Sequence, residues 1–206
     1  MNGKKNIAMQ QFKKIVAIGP ESTGKSTLCA MLAAHYNSLW CPEYAREYLL
    51  KNGKNYLYND LSKIAKGQLN LEDEYMSNLA VDGFPLTEPQ TSNFKPQISN
   101  LKPFFIDTDL YVMKVWCEYV FNKCHHFILE EIAQRKYDLY LLCNTDLPWV
   151  ADELREYPDE KYRLQLFHIY KDILINQKTP WVEIKGNKEN RFKTASNAVD
   201  TLLSSE

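Results

Sequence analysis

The sequence predicts a three-layer α/β fold, a five-stranded parallel sheet with helices on both faces. Three observations lead there. Short apolar runs rich in β-branched and aromatic residues alternate with stretches of helical periodicity along the chain. The first run, Lys14-Ile-Val-Ala-Ile18, enters Gly19-Pro-Glu-Ser-Thr-Gly-Lys25-Ser26-Thr27 and then a helical stretch, Ser26 to His35. Two later runs end in the carboxylates Glu43 and Asp107, at the strand ends where open parallel sheets collect ligands.

After the first helix, Ser38 to Glu43 reads as a second strand, and Tyr44 to Leu50 as a helix closed by Asn52-Gly53. Asp60 is expected to cap a packing helix, Leu61 to Ala80. Between Asp82 and Lys102, Pro85, Pro89 and Pro96 stand among Ser, Thr, Asn and Gln without periodicity. That composition predicts a surface insertion, a substrate lid being the alternative. Pro103 to Asp107 is the third strand, and Leu110 to Phe121 and Phe127 to Lys136 are helices. Tyr137 to Cys143 is the fourth strand, Glu160 to Asn176 a long helix, Thr179 to Ile184 the fifth strand and Arg191 to Leu203 the closing helix. Residues 1–13, with Lys4, Lys5 and Lys13 ahead of Lys14, read as a solvated basic tail, and residues 1–206 as a single domain.

Composition narrows the function. The chain carries 25 Lys and Arg against 26 Asp and Glu, so no nucleic-acid surface is expected. Its five cysteines form no C-x-x-C pair, and reduced thiols fit them best. Cys124-His125-His126 offers three adjacent residues that cannot easily converge on one ion, so no metal is expected there. No apolar run approaches the roughly 18–20 residues of a membrane span, and a cytoplasmic protein is the expectation. A homo-oligomer is left open.

The glycine-rich stretch fits G-x-x-x-x-G-K-[ST], a loop whose backbone amides cradle the phosphates of a nucleotide. Gly19, Pro20, Glu21, Ser22, Thr23, Gly24, Lys25, Ser26 and Thr27 are therefore the expected nucleotide-binding residues. Lys25 should reach the β- and γ-phosphates, and the Ser26 hydroxyl should bind Mg²⁺. Glu43, Asp107 and Asp109 should face the same crevice, one holding Mg²⁺ and another taking the proton of an attacking hydroxyl. Asp109 has a competing role as cap of the following helix. Arg46, three residues after Glu43, either holds the base, binds substrate or makes a surface ion pair. Arg155 and Arg163 flank Glu-Tyr-Pro-Asp and can swing over a transferring phosphate as a lid closes, solvated helix charges being the alternative. Trp116 either stacks on an aromatic ring or packs in the core. Asn144-Thr-Asp146 is not the Asn-Lys-x-Asp of a guanine-reading GTPase, and an ATPase with paired strand-end acids stays weakly open.

Gly19-Pro-Glu-Ser-Thr-Gly-Lys-Ser-Thr-Leu28, Glu43-Tyr-Ala-Arg-Glu-Tyr48, Asp107-Thr-Asp-Leu110 and Leu154-Arg155 together resemble the ribosylnicotinamide kinase domain of bacterial NAD-biosynthesis regulators. The similarity runs from about Lys14 to Ile184. It implies a P-loop nucleoside-kinase fold, with ATP and Mg²⁺ as cofactors. The implied reaction is phosphorylation of the ribose 5′-hydroxyl of nicotinamide riboside, giving nicotinamide mononucleotide and ADP. In that light Glu43 or Asp107 is the base and Mg²⁺ partner, Asp107 pairing with Ser26 at the metal. Arg46 and Asp109 bind substrate, and Arg155 and Arg163 belong to the lid. Where the family places an aromatic directly before Glu-Tyr-x-Arg, this chain has Pro42, with Trp40 two places earlier, so stacking on the pyridine falls to Trp40 or Tyr44. Relatives in this family also carry a helix-turn-helix and an adenylyltransferase domain, neither of which is expected here.

Overall fold

The computed structural model describes residues 11–81 and 101–205. Its sheet has five parallel strands, β1 (Gln11–Ile18), β2 (Trp40–Cys41), β3 (Leu101–Asp107), β4 (Leu139–Cys143) and β5 (Trp181–Ile184). Their order is β2-β3-β1-β4-β5, so the strand carrying the glycine-rich loop is central. Ala17 pairs with Asp107 across β1 and β3, and this register sets the β3 acid beside the exit of β1.

Alternation along the strands explains the layers. Ile15, Ala17, Phe105, Leu141 and Cys143 turn to one face, beneath α1 (Lys25–His35) and α7 (Lys188–Ser204), with Leu28, Leu32, Ala195 and Val199. Val16, Ile18, Phe104, Ile106, Tyr140 and Leu142 turn to the other. There α4 (Leu110–Phe121) and α6 (Glu160–Ile175) cover them with Val115, Leu166, Phe167 and Tyr170. Covered on both faces, such strands read as nearly unbroken apolar runs, which is why they stood out in the sequence. A third cluster joins α2 (Tyr44–Asn52), α3 (Tyr58–Val81), α4 and α5 (His126–Gln134) through Ala45, Leu61, Ile64, Met113 and Ile128.

Several local expectations shift. β1 starts at Gln11, so Lys13 is a strand residue like Lys14 rather than part of a tail; Lys13 pairs with Asp138 at 3.6 Å and Lys14 with buried Glu72 at 3.1 Å. Lys4 and Lys5 lie outside the described residues, as does the insertion except for Leu101 and Lys102, which open β3. Asp60 stands within the first turn of α3, and its carboxylate reaches back to accept from Leu57 N at 2.8 Å. His125 stacks on Tyr58 at 3.8 Å between ring centres, and no cluster of three or more His, Cys, Asp and Glu placed to hold a metal ion occurs among the described residues. No helix among them is long and apolar enough to cross a membrane.

Gly67, inside α3, has a packing reason. A Cβ there would stand 2.0 Å from Cε1 of Tyr44, so the Tyr44 ring lies flat against the bare helix backbone. Gly67→Ala would add about 1 kcal/mol of helix propensity, yet forcing that ring away costs about 1–3 kcal/mol. A net loss of stability is expected in urea unfolding, with an unchanged slope. A variant as stable as the parent would contradict this placement of Tyr44.

Candidate active site

The loop after β1 folds as its glycines require. Gly19 has φ 141°, and a Cβ on it would lie 2.6 Å from the Cys143 carbonyl oxygen, so the loop can leave the sheet at this point only without a side chain. Gly24, left-handed at φ 77°, turns the chain into α1, whose first amides face the loop. Lys25 Nζ donates to the Gly19 and Pro20 carbonyls at 3.0 and 2.9 Å. Arg191 in α7 supports the loop from below, donating to Thr23 O at 3.0 Å and Asn144 O at 2.9 Å and pairing with Asp146.

A cavity of about 510 Å³ opens above the loop. Its walls take in Gly19 to Thr27, Trp40, Glu43, Arg46, Asp107, Trp116 and Arg155, all sequence-predicted site residues. Asp107 stands at the end of β3, where the Thr108 hydroxyl donates to its carboxylate at 3.4 Å. Burial lifts the Asp107 carboxyl above its ordinary pKa, against the pull of Lys25, Ser26 and Thr108. Burial likewise pushes Glu43 up to about 7, with Lys25 lowering it and Asp107 raising it further. Thr108, a buried β-branched residue at φ 75°, makes the turn that sends Asp107 and Asp109 in different directions. Such a conformation is rare outside glycine and is held here by Thr108 N donating to Ala17 O at 3.1 Å.

Three expected site residues stand apart from the cavity. Asp109 is the cap of α4, accepting from Tyr111 N at 2.9 Å and from the buried Tyr140 hydroxyl at 2.8 Å. Tyr44 packs on Gly67 in the helical cluster and is not among the residues that line the cavity. Arg163, only 3% exposed, tucks beneath the loop with Nη2 near the Ser22 and Leu147 carbonyls at 3.3 Å, its Nε without a partner. Arg46 lines the cavity, but its guanidinium makes a bidentate pair with Asp152 at 3.0 Å, a partner the sequence reading did not include.

That pair belongs to a strap, residues 144–159, which has neither helix nor strand and lines the cavity with Leu154, Arg155, Glu156 and Tyr157. Val150 N donates to Ser22 Oγ at 3.1 Å, and Glu21 accepts from the strap amides of Glu156 and Tyr157. Farther along, Glu156 accepts from the Tyr56 hydroxyl at 3.0 Å, which itself accepts from Trp116 Nε1 at 2.9 Å. The guanidinium carbons of Arg155 and Arg163 lie 5.9 and 5.7 Å from the Trp149 ring centre. Trp149, Tyr170 and Arg191 were not singled out from the sequence. Tyr170 lines the cavity, and its i, i+4 spacing from Leu166, a cavity residue on the same face of α6, was the available signal.

Comparison with known proteins agrees with this geometry. A family model described as AAA domain matches residues 14–191. The trifunctional NAD biosynthesis/regulator protein NadR of Salmonella typhimurium is 28% identical over 198 residues, which make up 93% of this chain and 43% of that protein. The chain thus spans less than half the length of this relative. A crystal structure of NadR protein in complex with NR superposes with a TM-score of 0.68 at 19% identity, over 94% of this chain and 50% of that one. Thymidylate kinase from Ehrlichia chaffeensis superposes with a TM-score of 0.60 at 11% identity, over 91% of this chain and 99% of that one. The fold is that of a P-loop nucleoside kinase, and the resemblance read from the motifs is borne out.

Proposed function

The chain belongs to the AAA domain family matched across residues 14–191, and from that premise we propose that it is an ATP-dependent kinase for a nucleoside, most specifically for nicotinamide riboside. One observation carries the kinase reading: the phosphate loop, two strand-end carboxyls and the strap arginine share a single cavity whose far side is apolar and aromatic. Phosphoryl transfer asks little of a protein beyond this positioning and charge. On this reading residues 1–206 act as one kinase domain.

The residues present fit the two cofactors. Loop amides and Lys25 would hold the ATP phosphates, and Ser26 with Asp107 would hold Mg²⁺, which usually keeps several waters and takes one or two protein oxygens. Bound there, Mg²⁺ would offset charge on the phosphate oxygens. With Asp107 assigned to the metal, Glu43 is left to accept the proton of the acceptor hydroxyl, its raised pKa suiting a base near neutral pH. Arg155 would neutralise the transferring group, and Trp40 and Trp116 are the cavity aromatics available to an acceptor's ring.

The nicotinamide assignment draws on likeness to the NAD-biosynthesis regulators and on the two strand-end carboxyls of the cavity. A cationic pyridinium gains from the field of Glu43 and Asp107 as well as from stacking, whereas a neutral base gains from stacking alone. Nicotinamide riboside is therefore expected to stimulate ADP release more, in kcat/KM, than cytidine, uridine, thymidine or adenosine. A neutral nucleoside that proves the better acceptor would leave a general nucleoside kinase. Turnover independent of any acceptor would instead indicate an ATPase switch.

A further inference from the structure

We propose that Glu21 is a positioning residue: its carboxylate, standing in the phosphate loop, holds the strap at Glu156 and Tyr157 and thereby sets Arg155 over the phosphate cradle. The importance given to Arg155 rests on the kinase reading; the hold itself rests on geometry alone. A phosphate cradle works through backbone amides, and a carboxylate inside it repels the anion it is built to receive. Glu21 therefore weakens phosphate binding unless its side chain has another use.

The strap supplies that use. Glu156 N donates to both Glu21 carboxylate oxygens, at 3.0 and 3.1 Å, and Tyr157 N donates to Oε1. Hydrogen bonds to an ionised acceptor are roughly twice as strong as neutral ones. Burial raises the Glu21 pKa while these two amides pull it back, as expected of a carboxylate bound by the strap rather than by water. The neighbouring Ser22 takes Val150 N, so adjacent loop residues clamp the strap on both sides of Arg155. With no helix or strand in residues 144–159, few other contacts fix that arginine: its own amide donates to Asp152 O at 3.2 Å and its Nη1 to Val150 O, both within the strap. Arg46–Asp152 and Tyr56–Glu156 fasten the strap to the acceptor side, while Ser22 before Arg155 and Glu21 after it tie the strap to the phosphate loop.

Hydrogen exchange on the full chain reads the hold directly. In Glu21→Ala the amides of Glu156 and Tyr157 should exchange about tenfold faster than in the parent, and Glu21→Gln, whose amide oxygen still accepts, should fall between. Unchanged exchange in both variants would overturn the proposal. Steady-state kinetics with ATP and nicotinamide riboside read the consequence. Glu21→Ala should lower kcat about tenfold with partial rescue in Glu21→Gln, and should have little further effect once Arg155 is already alanine. Equal losses in the parent and Arg155→Ala backgrounds would overturn the positioning role even if the amides are freed. If the parent chain lacks acceptor-dependent turnover, the kinase reading fails, and exchange still decides whether Glu21 holds the strap.

Discussion

Lys25→Ala is expected to lower acceptor-dependent ADP release by about 10³-fold or more while leaving the fold intact. Lys25 is the loop's charge for the β- and γ-phosphates, and groups that neutralise developing phosphoryl charge commonly contribute about 10³–10⁵ in rate. Its folded-state contacts are slight by comparison. The ammonium donates to two carbonyls, Gly19 and Pro20, that line the open cavity and that water can serve in its absence. At about 1 kcal/mol, such a loss moves Tm by only about 2–4 °C in a chain of this size. A well-folded Lys25→Ala protein with parental turnover would remove the phosphate-loop assignment.

Glu43→Gln is expected to cost about 10²–10⁴ in kcat/KM, the usual worth of a general base. Its pH dependence gives the sharper test. A base works ionised, so with burial holding Glu43 at about 7 the parental kcat/KM should rise with pH below 7 and level off above it. Glu43→Gln should lose that acidic limb, because no carboxyl is left to ionise. An acidic limb that survives in Glu43→Gln and disappears in Asp107→Asn would exchange the two roles, making Asp107 the base. Magnesium titration separates them from the other side: Asp107→Asn should need more Mg²⁺, and Glu43→Gln should not.

The parts of this molecule that were legible in the sequence are those fixed by neighbouring residues. The β1–loop–α1 unit follows from the glycines and Lys25, and α4 runs from Leu110 to Phe121 as expected because Asp109 caps it one residue earlier. Five strands were recognisable because burial on both faces leaves little room for polar residues. What could not be read depends on pairs far apart in the chain. Arg46 finds Asp152, Lys14 finds Glu72 and Arg191 reaches under Thr23, each across a separation that no local period records. The strap was readable only as the residues around Arg155, because a segment without regular structure takes its path from its anchors, and those anchors, Glu21, Ser22, Arg46, Tyr56, Arg163 and Arg191 among them, are far from it in the chain or on other elements. Arg163 looked like a solvated or lid charge for a similar reason: helical spacing says which face a side chain is on, not what lies above it.

The sheet ends in two residues of β2 on one side and four of β5 on the other. An outermost strand offers its unpaired amides and carbonyls to any passing chain, and the hazard grows with its length and flatness. Here the longest ladder, β1 with β3, is interior, and among the described residues the rims are short. Cross-chain pairing through β1 and β3 would have to wait until unfolding uncovers them, which ties that route of aggregation to the stability of the sheet's centre rather than to its margins.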